Sequence, residues 1–182
     1  LNIKQDIKEV YKKKYLLNNS KKNIFLCPEA EYGTAKRWPN NNWVELASAY
    51  ESHNYNIYFL GKDMKLNDKY KEVLQKKSVV SLIGKTNIKD ASYLLALADL
   101  IISNDSGLMH IAASVNSNLI SIFGSSSPFY TPPLMKENLG EVIYKGLECS
   151  PCFKRECPLI HLNCLNSISV DEILKKSMKY LN

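Results

Sequence analysis

The chain has 182 residues, enough for one domain with a full hydrophobic core or for two very small domains. Its 24 Lys and Arg residues outnumber its 18 Asp and Glu residues, and the resulting net charge of +6 lies mostly on segments that we interpret as solvated helix faces. No apolar run approaches the roughly 20 residues of a membrane span, we expect no signal peptide, and no concentrated arginine–aromatic patch indicates nucleic-acid binding.

Short apolar runs alternate with amphipathic stretches along the chain. Residues 4–15 predict a charged helix and Asn23–Cys27 a strand, followed by a polar loop at 28–39. Next come a helix capped by Asn41 or Asn42 that places Trp43, Leu46, Ala47 and Tyr50 on one face, a strand at 57–60, a helix at 66–75 and a strand at 79–82. The remaining predictions are a helix at 88–98 capped by Asn87, a strand at 100–102, a helix at 108–115, strands at 119–123 and 141–144, and a terminal helix at 170–181.

The strands are four or five apolar residues long and do not alternate, which is typical of a parallel sheet covered on both faces. Repeated strand–helix units predict an α/β fold with a doubly wound, Rossmann-like parallel sheet. In such folds, ligands bind beyond the carboxyl ends of the strands. The loops after these strands should therefore lie on one rim.

The segment Ser103–His110 joins a buried strand directly to a helix. Free N–H groups at the helix start, around Ser106 and Gly107, favour a bound anion, most often phosphate. Gly107 has no Cβ and so lets a ligand approach the backbone closely. Asp105 and His110 flank this loop and are candidates for contacts with the rest of the ligand. The sequence therefore predicts a site for a phosphorylated ligand.

Lys36 lies on the polar loop at 28–39, where it could reach a diphosphate bound at the facing helix start. Considered alone, it is more simply a solvated loop lysine. Together with the loop at Asp105, it favours a phosphate-binding role. For the neighbouring Trp38, core packing is the preferred interpretation.

Four cysteines occur within sixteen residues, in the pattern C-x2-C-x4-C-x6-C: Cys149, Cys152, Cys157 and Cys164. Four thiolates can satisfy a tetrahedral zinc ion, although two of the spacings differ from the usual paired C-x2-C pattern. A pair of disulfides and a set of reduced thiols are the alternatives, and the sequence leaves all three open. Cys27 lies in a predicted strand, where we expect a small core residue.

Four segments, in order, resemble glycosyltransferase family 9, the lipopolysaccharide heptosyltransferases. Pro28–Pro39 is similar to the opening of that family's donor domain, and Ser103–Ala113 to its Asp-Ser/Thr-Gly-x-x-His signature. Phe123–Leu134 resembles the loop that follows. The cysteine segment, with His161, resembles a segment typical of the heptosyltransferase II members. The resemblance covers most of the chain, from about Asn23 to Leu165.

The resemblance implies the GT-B architecture, in which two Rossmann-like domains enclose the active site. Residues 1–182 would form the single C-terminal, donor-binding domain, with a cysteine-rich loop at 149–164 and a terminal helix at 170–181. The chain starts at Leu1 rather than Met, so we expect a fragment that lacks the N-terminal acceptor domain. The catalytic base would lie in that domain, and no residue of this chain is assigned to it.

The family's reaction implies roles for individual residues. The donor would be ADP-heptose, whose heptose is transferred with inversion to the lipopolysaccharide inner core. Lys36 and the N–H groups at Ser106 and Gly107 would stabilise the ADP leaving group without a metal or other cofactor, His110 would contact phosphate or sugar, and Asp105 would hold the heptose. Asp63, after the second strand, is the candidate for the ribose.

The resemblance also implies where the protein acts in the cell, and two alternative functions remain open. A heptosyltransferase would act at the cytoplasmic face of the inner membrane of a Gram-negative bacterium, with peripheral association as a further expectation. One alternative is a GT-B donor domain for a different nucleotide sugar. The other is a non-catalytic, zinc-binding interaction module.

Overall fold

In the computed structural model, which describes residues 4–15, 17, 20–63 and 68–181, six strands form one all-parallel sheet. The strands are β1 (Asn23–Cys27), β2 (Asn56–Phe59), β3 (Val79–Ser81), β4 (Leu100–Asn104), β5 (Leu119–Phe123) and β6 (Gly140–Tyr144), in the order β3-β2-β1-β4-β5-β6. This order reverses direction between β1 and β4, which in doubly wound folds marks the ligand crevice. The predicted fold class is confirmed.

Helices cover both faces of the sheet. They are α1 (Gln5–Lys14), α2 (Asn40–Ser52), α3 (Asp68–Val73), α4 (Ile88–Leu95), α5 (Gly107–Ser114), α6 (Asn163–Asn166) and α7 (Val170–Leu181), and a single 3-10 turn, η1, spans Thr34–Lys36. None of the helices in the described ranges is long and apolar enough to cross a membrane.

The sheet separates two apolar cores, because successive strand residues point to opposite faces. In β1, Ile24 and Leu26 face the core under α2 and α7, whereas Phe25 and Cys27 face the core under α4 and α5. All five residues of β1 are buried, as the apolar runs predicted. Burial raises the pKa of the Cys27 thiol, so this cysteine is an inert core residue as expected.

The first core contains the two tryptophans. Trp38 and Trp43 are fully buried and meet edge to face, with ring centroids 5.2 Å apart. The Trp38 indole N–H donates to the Ile168 carbonyl, so the polar loop is anchored in the core at its far end. The expectation that Trp38 packs in the core is confirmed.

Some predicted helix ends were wrong. Helix α2 begins at Asn40 after Pro39, with no side-chain cap, so neither Asn41 nor Asn42 is the capping residue; the fixed backbone of proline suits a helix start without one. The helix predicted at 88–98 ends at Leu95, although its Asn87 cap is confirmed. Of the helix predicted at 66–75, residues 66 and 67 lie outside the described residues and the rest contains α3.

Candidate functional site

The rim at the carboxyl ends of the strands brings Lys36 and Asp105 into contact. Lys36 ends the 3-10 turn after β1, and Asp105 follows β4 directly, so both lie at the reversal point of the sheet. The Lys36 Nζ lies 2.5 Å from Asp105 Oδ2. The prediction that these two loops meet on one rim is confirmed.

Asp105 is almost fully buried, with 4% of its surface exposed, and a second group binds the same oxygen. The Ser126 hydroxyl, from the loop after β5, donates to Asp105 Oδ2. Loops from three adjacent strands therefore converge on one carboxylate. A buried ion pair contributes little net stability because desolvation offsets the attraction. A role in function therefore explains this ion pair better than a contribution to stability does.

Asn104 fixes the loop that carries Lys36. Its buried side chain accepts a hydrogen bond from the Trp38 backbone N–H at 3.1 Å and donates to the Pro28 carbonyl at 2.6 Å. Both ends of the loop are thus attached to the end of β4. The position of the Lys36 backbone is therefore set by the fold, since Lys36 lies between these two anchors.

The start of α5 lies beside this cluster and presents free N–H groups. Ser106 is the N-cap residue, with extended backbone (φ −152°, ψ 172°), and its side chain makes no capping hydrogen bond. The first N–H groups of a helix have no acceptor within the helix. They are therefore available to an anion, and the helix dipole favours a negative charge there.

Gly107 keeps the approach to these N–H groups open. It is exposed, and a Cβ built on it would meet no protein atom within 4 Å. Its backbone is not left-handed, since among the described glycines only Gly84 and Gly146 have φ in that region. The hypothesis that Gly107 matters for close approach therefore depends on ligand space and not on backbone conformation.

The structure places His110 and Asp63 at the rim but outside the Lys36–Asp105 cluster. His110 lies in the first turn of α5, and its exposed ring makes no hydrogen bond to a described residue. Asp63 is exposed in the loop after β2. Its backbone N–H donates to Glu29 Oε1 at 3.0 Å. Both side chains are free to meet a ligand.

Glu29 joins the loops after β1 and β2. Its carboxylate accepts from the N–H groups of Lys62 (2.7 Å) and Asp63 (3.0 Å). It lies so close to Gly61 that a Cβ there would come within 2.7 Å of the Glu29 side chain. The position of Asp63 is therefore set by a residue of the neighbouring loop.

Tyr32 lies between two cations on the same rim. The Lys36 ammonium is 5.0 Å, and the Arg155 guanidinium 4.9 Å, from the centre of its ring. The Tyr32 hydroxyl donates to the Phe153 carbonyl at 2.8 Å. Tyr32 therefore connects the Lys36 loop to the cysteine-rich loop.

The cysteine-rich loop packs on the site through backbone contacts. The Ala35 N–H donates to the Arg155 carbonyl at 3.0 Å, and the Phe153 N–H donates to the Ser125 carbonyl at 2.7 Å. A Cβ on Gly33 would come within 2.2 Å of the Arg155 carbonyl oxygen, so only glycine allows this close approach. The loop is thus part of the wall around Lys36.

The four cysteines of this loop are free thiols that line one cavity together with His161 and Ser125. Burial raises the pKa of the Cys164 thiol, and so do the charges of Cys149, Cys152 and Cys157. The thiols are therefore close enough to interact. Within the described ranges, no three Cys, His, Asp or Glu side chains already form a metal-binding group, and the structure contains no disulfide pair among the four cysteines.

Sequence reasoning missed several residues that build the site: Glu29, Tyr32, Asn104 and Ser126. Glu29 and Asn104 each lie two residues after the end of a predicted strand, so position along the chain could have indicated them. Ser126 is the middle residue of three consecutive serines, and no sequence signal distinguishes it from its neighbours.

The doubly wound parallel sheet, with Lys36 and the start of α5 at its reversal point, has the fold of one half of a GT-B glycosyltransferase. A model of glycosyltransferase family 9 (heptosyltransferase) matches residues 2–163. The chain therefore belongs to glycosyltransferase family 9.

Individual relatives agree with this assignment. Lipooligosaccharide heptosyltransferase 2 of Campylobacter jejuni is 31% identical over 185 residues, covering 97% of this chain and 58% of that protein. Lipopolysaccharide heptosyltransferase 2 of Escherichia coli is 37% identical over 125 residues, covering 66% of this chain and 36% of that protein. The solved structure of E. coli ADP-heptose LPS heptosyltransferase II matches with a TM-score of 0.82 at 29% identity, covering 100% of this chain and 53% of that chain. The matched region thus spans between 36% and 58% of the length of these relatives.

Proposed function

We propose that this chain is the donor-binding half of a lipopolysaccharide heptosyltransferase and that its ligand is ADP-heptose. The observation that carries the proposal is the contact between Lys36 and the buried Asp105 beside the free N-terminus of α5. The E. coli relative named above takes its name from the same donor and supports the choice.

The geometry suits a diphosphate. One N–H of the Lys36 ammonium is directed to Asp105 and two remain, since a lysine carries three donors. Those two and the first N–H groups of α5 would contact the phosphate oxygens. Asp105 would then hold the ammonium in place while the phosphates replace the water around it. Its role toward Lys36 is positioning.

The same groups suit the transfer step. An acceptor hydroxyl oxygen forms a bond to the anomeric carbon from the face opposite the phosphate, the bond from that carbon to the phosphate oxygen breaks, and ADP leaves with the electron pair. The configuration is thereby inverted. Lys36 and the α5 N–H groups would stabilise the charge that develops on ADP, so this step requires no metal or other cofactor. The acceptor's proton would pass to a base in the acceptor-binding half.

The sugar and the ribose have candidate partners on the same rim. We propose that the second carboxylate oxygen of Asp105 holds a heptose hydroxyl and that His110 contacts phosphate or sugar from the first turn of α5. We propose Asp63 for the ribose because Glu29 fixes its backbone at the end of the neighbouring strand.

The acceptor would be the inner core of lipopolysaccharide, bound through the other half of the enzyme. We place the reaction at the cytoplasmic face of the inner membrane of a Gram-negative bacterium, where peripheral association would be helped by the net charge of +6.

The test is calorimetric titration of the chain with ADP, UDP and GDP in the presence of EDTA. We expect ADP to bind tightest, with no need for a divalent cation. Equal binding of the three would favour a GT-B domain for a different nucleotide sugar, and no binding of any would contradict the proposal.

A further inference from the structure

Between Cys149 and His161 the cysteine-rich loop contributes no residue to either apolar core, and it contains no disulfide. Its large apolar side chains are exposed, Ile160 to 89% and Leu159 to 55%. It has no helix or strand between Cys149 and Leu162, and its cysteines are free thiols. The loop nevertheless forms part of the wall of the proposed donor site. Backbone hydrogen bonds to Ala35 and Ser125 hold it there, and a bound ion would fix its conformation further.

The backbone of this loop is strained in a way that the rest of the described chain is not. Six described residues other than glycine have a left-handed φ; three are asparagines, which tolerate it, and the others are Phe153, Ile160 and Leu162. All three bulky residues lie in the cysteine-rich loop. Strain of this kind persists only where surrounding interactions enforce the conformation.

The four cysteines share one cavity of about 20 Å³, the size of a single small ion or water molecule. Ser125 also lines it, and its hydroxyl is buried to 99% without a hydrogen-bond partner in the described chain. A hydroxyl in that position could donate to a thiolate sulfur. Unpartnered buried hydroxyls are costly, so the Ser125 hydroxyl lacks an acceptor that a group bound in the cavity would supply.

We infer that Cys149, Cys152, Cys157 and Cys164 bind one Zn²⁺ ion. Four thiolates around a small cavity match the tetrahedral, all-sulfur coordination of structural zinc, and the first pair has the usual C-x2-C spacing. In the described chain the four thiols line one cavity but do not form a ready metal-binding group, so zinc binding would have to draw them toward one point. Ser125 would complete the site by donating its hydroxyl proton to a coordinated sulfur.

His161 lines the same cavity but is not a ligand. Its Nδ1 accepts a hydrogen bond from the Asn163 N–H at 3.0 Å, so the neutral ring carries its proton on Nε2. Neither nitrogen then offers a free lone pair. The donor set is therefore sulfur alone, which selects thiophilic ions over Mg²⁺ or Ca²⁺.

A zinc ion in this cavity would stabilise the proposed donor site by ordering the loop that forms part of its wall. The loop donates and accepts backbone hydrogen bonds with Ala35, next to Lys36, and with Ser125, next to Ser126. Ordering the loop would therefore order both residues that contact Asp105. We expect the zinc-free chain to bind ADP several-fold more weakly and not to lose binding altogether.

The test is the metal content of the purified, reduced chain, with Co²⁺ substitution as the optical readout of thiolate coordination. We expect one equivalent of zinc in the chain and in the control Cys27→Ala, whose cysteine lies in the core under α4 and α5. Each of the variants Cys149→Ser, Cys152→Ser, Cys157→Ser and Cys164→Ser should lose zinc and the thiolate–cobalt absorption while keeping the far-ultraviolet spectrum of the fold.

Three results would overturn the inference. The first is that all four thiols react freely and no zinc is bound after addition of ZnCl2. The second is that the measured mass is lower than that of the reduced chain, which would reveal disulfides. The third is that the cysteine-to-serine variants still bind zinc. Because metal content is measured without nucleotide, the outcome is independent of whether ADP binds.

Discussion

At the scale of single residues, the site depends on one buried carboxylate. Asp105 accepts from Lys36 and Ser126 through the same oxygen. Burial of this carboxylate costs desolvation energy, and its pairing with Lys36 gives little net stability in return. The arrangement instead keeps a lysine directed at the helix start where a diphosphate would bind.

Lys36→Ala should weaken ADP binding and also lower the stability of the fold, because it leaves the buried Asp105 carboxylate with Ser126 as its remaining partner. A charge-assisted hydrogen bond contributes roughly 1.5–3 kcal/mol, which corresponds to about a 10- to 150-fold loss of affinity. Calorimetry measures the affinity, and urea unfolding measures the stability. Lys62→Ala is the matched control, because Lys62 is an exposed lysine of the neighbouring rim loop. Unchanged ADP affinity in Lys36→Ala would show that Lys36 pairs with Asp105 but does not contact the nucleotide.

Gly107→Val should abolish nucleotide binding in a folded domain. A Cβ at this position meets no protein atom within 4 Å, so we expect stability to change little, but the valine side chain would fill the space in front of the α5 N–H groups. Gly107→Ala should give a smaller loss, since one methyl group blocks less of that space. Thermal unfolding with and without ADP distinguishes the cases, and a Gly107→Val variant still stabilised by ADP would refute this placement of the diphosphate.

The Asp105→Asn variant distinguishes two proposed roles of Asp105, namely positioning Lys36 and contacting the sugar. The amide keeps the shape but lacks the charge that holds the ammonium, so we expect weaker binding of ADP. ADP-heptose should lose more, because its hydroxyl also loses an acceptor. Parallel titrations with the two ligands give both values. Equal losses would remove Asp105 from sugar recognition, and an unchanged ADP affinity would show that Lys36 does not depend on it.

At the scale of elements, α1 is attached to the fold through Asp90 at the start of α4. Tyr11 and Tyr15 each donate to this carboxylate at 2.8 Å, and the Lys14 ammonium lies 3.3 Å away. Burial raises the pKa of Asp90, but these hydrogen bonds and the lysine charge outweigh it and hold the pKa below its usual range. Burial and the bond to Asp90 also raise the pKa of Tyr11 to about 12.

The lowered pKa of Asp90 makes the packing of α1 sensitive to acid. A carboxylate with a depressed pKa contributes stability above its ordinary pKa of about 4, and this contribution is lost as the pH falls through the lowered value. Asp90→Asn should therefore be less stable than the parent at neutral pH, by a margin that shrinks on acidification. Urea unfolding across pH measures this margin, with Asp68→Asn as an exposed control. A margin independent of pH would contradict the linkage.

Sequence reasoning predicted the buried elements well and the loop contacts poorly. β5 and α7 agree residue for residue with their predicted ranges, because apolar runs and apolar periodicity report burial directly. Helix α6 was missed, since four residues are too short to show a period. The rule that parallel strands end on one rim predicted that the loops carrying Lys36 and Asp105 lie together, but it did not predict the ion pair between them. The choice of Ser126 among three serines depends on backbone geometry that sequence does not encode.

At the scale of the whole molecule, site position follows from strand order. The sheet reverses direction between β1 and β4, and the loops after these two strands carry Lys36 and Asp105. The loop after β5 adds Ser126, and the cysteine-rich loop closes the side behind Ala35. We therefore expect one ligand, a nucleoside diphosphate sugar, to bind where these four loops meet.

The most direct test of this binding site is a titration of the isotope-labelled chain with ADP-heptose, in which the chemical shifts of the backbone amides are measured. The largest shifts should fall on Lys36, Ser106, Gly107 and Leu108, with smaller shifts at Ser126. Saturable shifts confined to another surface, or none at concentrations well above those of cellular nucleotide sugars, would contradict the account.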